Sequence, residues 1–334
     1  MTPVGSGSHH QSLGLILPAS LQGELLLGAS STPGTTTRPA GTAAELSALC
    51  RQAEEAGADS LWAVDHLYWP HPIGEAVTTL AVAATATTRP TLGTCILQLP
   101  LRQPAAVAKQ ATALQLLSGG RFVLGLGVGS HQPEYRRAGA EFHRRGRALD
   151  DAVSRLREAW AHPGPADDPG GGEATDYVQE PRSAPVPLWF GGASPAARRR
   201  AAREGDGWIP LFLTPEDYAD ALGTLRAETA ANGRDPDAVE AAVVVFARVG
   251  DDDEAPRLGE AWLSELYRLP PKAFRRHLVA GTPETCATAL SRFVDAGARH
   301  IVVMVAGSRA VQHFGLLRAA FVAGERPVLA GSPT

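Results

Sequence analysis

Cysteine is scarce. Only Cys50, Cys95 and Cys286 occur in the 334 residues, far apart and with no CxxC spacing or Cys/His cluster. That leaves no basis for a disulfide framework or a structural zinc site, and it makes a reducing, cytoplasmic compartment the default expectation. Long basic runs are lacking too, and the formal net charge is -4. Neither nucleic acid nor an anionic membrane is therefore expected as the main partner. No apolar stretch is long enough to span a bilayer. The Gly/Ser/His-rich start, residues 1–11, lacks the charged-then-apolar layout of a secretory signal. What remains is an ordinary soluble composition, 44% hydrophobic and 20% charged.

From Ser12 onward, short apolar runs alternate with longer amphipathic stretches. The strand candidates are 13–17, 60–64, 91–98, 121–128, 187–190, 208–212, 243–249 and 300–305. Between them, helical spacing predicts helices over 42–56 (with Thr42 as N-cap), 74–88, 104–118, 147–160, 194–204, 215–231 and 282–296, and a last one to about 322. Continuous apolar strands separated by helices mean a parallel sheet covered on its outer side. About eight such units predict an α/β fold, a (β/α)8 TIM-like barrel with insertion segments. Strand count alone leaves a doubly wound open sheet as the alternative. The expected organisation is one domain over 12–325 with an insertion around 251–280, flanked by tails at 1–11 and 326–334. Residues 33–41 and 163–172 read as loops. The 251–280 stretch, with Tyr267, Arg268, Lys272, Arg275 and His277, reads as a lid, an interface or a plain surface helix.

Three strand ends carry chemistry. The first is LWAVDHLYWPHP, 61–72, where an apolar run stops at Asp65-His66. In a barrel the carboxyl ends of the strands build the active site, so His66 projects over the mouth, with Trp62 and Trp69 as planar walls. Asp65, His66 and His71 do not have a recognised metal-ligand spacing, and no metal is expected. The second is GRFVLGLGVGSHQPEY, 120–135, with glycines at 125, 127 and 129 that let a ligand or backbone come close. It does not match G-x-G-x-x-G, because position 130 is Ser130 and no clear helix follows. Glu134 reads equally as a residue that orients loops or touches substrate and as a solvated loop carboxylate. The third is PLWFGGASPAARRRAAREGDGWIP, 187–210. Here Ser194 caps a helix with Pro195 in its first turn, and the free N–H groups of that helix start suit a phosphate.

Taken in order, these stretches resemble the luciferase-like monooxygenase family. The resemblance also rests on LGLILP (13–18), AEEAGADSLWAVDHL (53–67), TLGTCILQLPLRQPAAVAKQATALQLLSGGRFVLGLGVG (91–129) and GTPETCATALSRFVDAGARHIVVMV (281–305). It implies a TIM-like barrel with an insertion that binds the deazaflavin coenzyme F420 or FMN. The Asp65-His66 pair is similar to members that use F420, in which the histidine lies by the redox centre. The same branch carries a non-prolyl cis peptide on its third strand, which matching places at Cys95-Ile96. The resemblance assigns cofactor contacts to Asp65, His66, Cys95, Ile96, Gln98, Gly127, Gly129, Gly191, Gly192, Ala193 and Ser194. It makes His66 the catalytic residue and puts a small-molecule substrate near Tyr68, Trp69, Ser130, His131 and Glu134. Sugar-phosphate dehydrogenases of the family carry a proton-donating glutamate at the position of Ser130, so the same acid-base machinery is not expected here. The resulting expectation is an F420-dependent hydride-transferring oxidoreductase, acting as a homodimer. The alternatives are an FMN-dependent monooxygenase and a non-catalytic cofactor-binding barrel.

Overall fold

The computed structural model describes residues 11–18, 42–161 and 181–324. The loops expected at 33–41 and 163–172, most of the N-terminal tail and the C-terminal tail lie outside the described residues. The chain opens with β1 (Ser12–Ile16), α1 (Ala43–Glu55), β2 (Ser60–Ala63), α2 (Ala76–Ala86), β3 (Thr91–Thr94), β4 (Leu97–Gln98), α3 (Pro104–Leu117) and β5 (Phe122–Gly127). It continues through α4 (Gln132–Arg137), α5 (Arg145–Ala161), β6 (Leu188–Gly191), α6 (Pro195–Glu204), β7 (Gly207–Ile209), α7 (Pro215–Ala231) and β8 (Glu240–Val249). It ends with α8 (Ala255–Tyr267), β9 (Leu278–Gly281), α9 (Pro283–Asp295), β10 (His300–Val305) and α10 (Ala310–Gly324).

Every strand pairing among the described residues is parallel. Ser12 pairs with His300 on one side and Gly14 with Ser60 on the other. The order runs β10-β1-β2-β3-β5-β6-β7-β8, and the β10–β8 pairing closes the ring. This is a (β/α)8 barrel, and closure rules out the open doubly wound sheet. The third barrel position is split into β3 and β4 by a cis Cys95-Ile96 peptide. β9 stands outside the ring, paired to the far end of β8 from Phe246↔Leu278 to Val249↔Gly281.

Strand alternation separates two apolar layers. Leu13, Leu15, Leu61, Val243 and Val245 face outward to the helices, while Ile16, Trp62, Val123, Trp189, Val244 and Val302 fill the barrel. Trp62 is consequently a floor residue and not a wall of the mouth. It is fully buried, lies 5.2 Å from the Trp189 ring, and donates from Nε1 to Ser60 Oγ at 2.7 Å.

Ser12 Oγ and Ser60 Oγ each sit 3.0 Å from His300 Nε2, and burial pushes the His300 imidazole down to about 4, partly offset by Asp59. A neutral folded-state imidazole contributes stability that is complete above its unfolded value near 6.5. That contribution is lost as pH falls from there to about 4, by at most about 3 kcal/mol. Denaturant unfolding between pH 4 and 7 checks it: His300→Asn should flatten the acid-side slope of stability. An unchanged slope would place the proton uptake elsewhere.

Candidate active site

All of the singled-out strand ends meet at one end of the barrel. Ile96, just past the cis bond, lies across two strands. A Cβ on Gly127 would stand 2.6 Å from Ile96 Cδ1, and one on Gly191 would stand 2.4 Å from Ile96 Cγ2. The glycines at 127 and 191 are therefore spaces for Ile96, which forms a shelf with Cys95. Gly129, at φ +64, is where a Cβ would fall 1.8 Å from Gln98 Oε1. Gln98 in turn donates to the Asp65 carbonyl at 2.8 Å and to Glu134 Oε2 at 3.2 Å. Positions 66, 96, 129 and 191 are thus joined by a short chain of contacts.

Glu134 holds the His66 ring, and Asp65 anchors the strand end beside it. Asp65 is nearly fully buried; it accepts from Gln98 N at 2.9 Å and from the Arg102 guanidinium, which also reaches Glu75 at 3.3 Å. Burial pushes its carboxyl upward against the pull of Arg102. Both of its oxygens are spent on protein donors, so Asp65 ties the end of β2 to β4 and does not face the mouth.

Glu134, read from the sequence as a loop carboxylate near substrate, is instead fully buried. It accepts from Leu67 N at 2.6 Å and Tyr68 N at 3.1 Å through Oε1, and Oε2 lies 2.8 Å from His66 Nδ1. Burial would raise its carboxyl, but the bonds from His66, Tyr68 and Gln98 outweigh this and hold it below the usual carboxylate range. An ionised Glu134 accepts only, so His66 Nδ1 carries the hydrogen that points at it. That assigns the Gln98 amide hydrogens to Asp65 and Glu134, and His66 Nε2 stays without a protein partner among the described residues.

Glu134 arrives on a helix that the sequence reading missed. α4 follows the β5 glycines after all, with Pro133 in its first turn, and the Tyr135 hydroxyl donates back to the Val128 carbonyl. A proline followed by an acid in the next position is a helix-start signature, and it was the one signal available. Ser130 itself is exposed.

The aromatic side is equally built. Trp69 stacks on His66 with centroids 4.0 Å apart, and it meets His131 at 5.1 Å and Tyr267 at 6.1 Å edge-on. Tyr68 is exposed, with the Arg137 guanidinium 5.9 Å from its ring. His71 does not join Asp65 and His66; its Nε2 sits 2.9 Å from the Glu265 carbonyl on α8. α8 is therefore no plain surface helix. It buries Leu263 and Leu266 and sets Trp262 and Tyr267 over the mouth, beside Phe246 and Phe274. β9, three half-buried residues and a buried glycine at a sheet margin, was invisible to pattern reading for want of a clear period.

On the other side, β6 ends at Gly191 and Gly192 takes φ +109. Ser194 caps the ten-residue α6, accepting from Ala197 N at 3.2 Å, with Pro195 in the first turn. Two of the three arginines that follow are structural: Arg198 pairs with Glu228 at 3.1 Å and Arg200 with Asp150 at 2.7 Å, while Arg199 is exposed. Around the mouth, Gln98 Oε1, Trp69 Nε1 and His131 Nδ1 are buried without a partner among the described residues. Buried polar atoms are nearly always bonded, so such orphans mark where another molecule supplies the partner. The Ile96 side chain seated over Gly127 and Gly191, next to the free N–H groups that open α6, fits a planar ring with a phosphate tail.

A closed parallel barrel with an imidazole–carboxylate pair at the carboxyl ends of its strands has the layout of a barrel enzyme. Residues 24–258 match the model of the luciferase-like monooxygenase family, and the chain belongs to that family. An F420-dependent hydroxymycolic acid dehydrogenase of Mycobacterium tuberculosis is 30% identical over 236 residues, 65% of this chain and 62% of that protein. An F420-dependent glucose-6-phosphate dehydrogenase of Amycolatopsis mediterranei is 28% identical over 283 residues, 75% of this chain and 85% of its own length. The chain spans 51% and 62% of the first two curated relatives it matches. An F420-dependent secondary alcohol dehydrogenase, solved with an F420-acetone adduct, shares the fold. Its TM-score is 0.74 at 20% identity, over 93% of this chain and 99% of that one.

Proposed function

We propose that this chain is an oxidoreductase that moves a hydride between coenzyme F420 and a small organic metabolite. The observation that carries the reading is the His66–Glu134 pair at 2.8 Å, with His66 Nε2 left without a partner among the described residues. Two relatives named as F420-dependent dehydrogenases support it. When bound, F420 supplies a two-electron hydride carrier, and the protein supplies orientation and proton handling.

The Cys95-Ile96 shelf and Gly129 would support the ring, and Gln98 Oε1 offers it an acceptor. Gly192, Ala193 and Ser194 would take the phosphate on the N–H groups that open α6. His66 holds the accompanying proton at Nε2, and Glu134 stabilises the charged imidazole. Trp69 fixes the ring plane of His66 and excludes water from one face. His131 and Tyr68 border the substrate side.

The test follows the redox state of the coenzyme optically with a panel of alcohols and ketones. Turnover with F420 is expected. Oxygen uptake with reduced FMN, and none with F420, would instead make the chain a monooxygenase. F420 binding with no turnover on any member of the panel would make it a non-catalytic barrel. Gly192→Val should weaken F420 affinity by at least tenfold. A side chain at φ +109, with its Cβ 3.2 Å from that of Ala197, displaces the phosphate turn. An unchanged dissociation constant would remove the turn from the site. Residues 12–325 are read here as one catalytic domain in a cytoplasmic homodimer with no nucleic-acid or membrane partner. Light scattering on the eluting protein measures the dimer.

A further inference from the structure

The turn between β10 and α10 gathers positive charge that no carboxylate among the described residues answers. Arg248, at the end of β8, is a partly buried guanidinium with one hydrogen bond, from Nη1 to the Ala306 carbonyl at 2.8 Å. Its Nε is buried without a partner among the described residues. Other enclosed arginines are fully engaged. Arg102, Arg198, Arg200 and Arg318 each meet a carboxylate, and Arg121 makes five hydrogen bonds to neighbouring oxygens. Burial pulls the Arg248 guanidinium down, and no carboxylate beside it pulls the other way. An enclosed cation without a counter-charge is costly to keep, which points to a partner that arrives from outside the chain.

Further polar groups surround it. Gly307 leaves room for the guanidinium, since a Cβ there would stand 1.7 Å from Arg248 Nη1. Two positions on, Arg309 is exposed and forms no ion pair among the described residues. On α10, the His313 imidazole is pushed down by burial and then by Arg248 and Arg309, which places it beside both cations. Its Nδ1 is buried without a partner among the described residues. From α8, Gly259 lies against Arg248, where an added Cβ would stand 3.0 Å from the arginine's own. Trp262 follows three residues later on the same helix face, and its indole N–H is likewise buried and unpartnered among the described residues. Trp262, Gly307, Ser308 and Arg309 line a cavity of about 470 Å³ that reaches His66.

We propose that Arg248, Trp262, Arg309 and His313 form a binding site for an oxyanion, the carboxylate or phosphate group of a small molecule. The site is separate from the start of α6, and it goes beyond the oxidoreductase reading without depending on it. Guanidinium and indole N–H groups donate and cannot accept, so the occupant brings the acceptors. Two guanidinium groups call for negative charge, and their planar forks match two oxygens on one centre. A neutral hydroxyl or amide would leave both charges uncompensated. The adjoining cavity gives the carbon body of such a molecule a place to lie.

The test uses the full-length protein without F420, titrated calorimetrically with inorganic phosphate, acetate and hexanoate at an ionic strength held constant with chloride. One saturable site per chain is expected for at least one probe. Arg248→Met should weaken it at least about tenfold, the size of a lost hydrogen bond to a charged group. Arg309→Gln, at an exposed position that leaves folding untouched, should weaken it severalfold. Phosphate tighter than acetate assigns the site to a phosphate group, and the reverse to a carboxylate. Hexanoate tighter than acetate, by about fourfold per methylene, places a carbon body in the cavity, whereas equal affinity makes the occupant a free ion.

A wild-type protein that binds none of the three probes saturably would overturn the proposal, whether or not the variants fold. Unchanged affinity in both folded arginine variants would do the same. Phosphate binding lost in Gly192→Val but kept in both arginine variants would also overturn it, because the ion would then sit at the start of α6. F420 binding is read separately on the same samples, and its absence would sink the deazaflavin reading while leaving this site standing.

Discussion

Replacing His66 with alanine is expected to lower turnover with F420 about a hundredfold, the usual size of a general acid-base contribution. The geometry says why the loss is specific. His66 Nδ1 is committed to Glu134 and its ring is clamped by Trp69 at 4.0 Å, so Nε2 is the only proton site that this side chain presents to the cavity. Alanine removes that site without disturbing the Ile96 shelf or the Gly192 turn, so F420 affinity should change little. Some stability is lost, because the buried Glu134 carboxylate keeps its bonds to Leu67 N, Tyr68 N and Gln98 but loses one donor. A hydrogen bond to a charged group is worth roughly 1.5–3 kcal/mol. Single-turnover rates and denaturant unfolding on one preparation separate the two effects. A wild-type rate would take His66 out of the chemistry.

Glu134→Gln is the second large effect. The substitution keeps size and two acceptor contacts but turns an amide N–H₂ toward His66 Nδ1. The imidazole must then present a lone pair there and a hydrogen at Nε2, the opposite tautomer from wild type. Turnover should fall on the order of tenfold or more, as expected for an orienting partner of a functional imidazole, with F420 affinity near the wild-type value. Stability carries an independent signature. Glu134 is held below its unfolded value near 4.3. Its contribution is therefore complete above that pH and lost as pH falls through the folded value. The variant lacks this group and should show a flatter loss of stability below about pH 4. Equal turnover and an unaltered acid limb would reduce Glu134 to a filler of space.

The barrel was legible in the sequence because its signals are periodic. Strands such as His300–Val305 and helices such as Pro215–Ala231 begin and end where apolar period, caps and prolines place them. The Cys95-Ile96 cis bond came from family resemblance, whereas the α6 start was read from its glycines, Ser194 and Pro195. The parts that escaped depend on contacts between distant residues. Glu134 reaches His66 across 68 positions, from a six-residue helix too short to show a moment. Trp62 was placed at the mouth by proximity in sequence, yet alternation along β2 points it into the floor. The 251–280 stretch reads as a lid, an interface or a plain surface helix, and only the fold shows α8 packed at the mouth of the barrel.

Titrating purified protein with F420, and separately with FMN, while following the fluorescence of each is the most direct measurement. Saturable binding of F420, weakened in Gly192→Val and retained in His66→Ala, is the predicted result. A protein that leaves both ring systems unquenched, or that takes FMN and ignores F420, would contradict the assignment of this mouth to a deazaflavin.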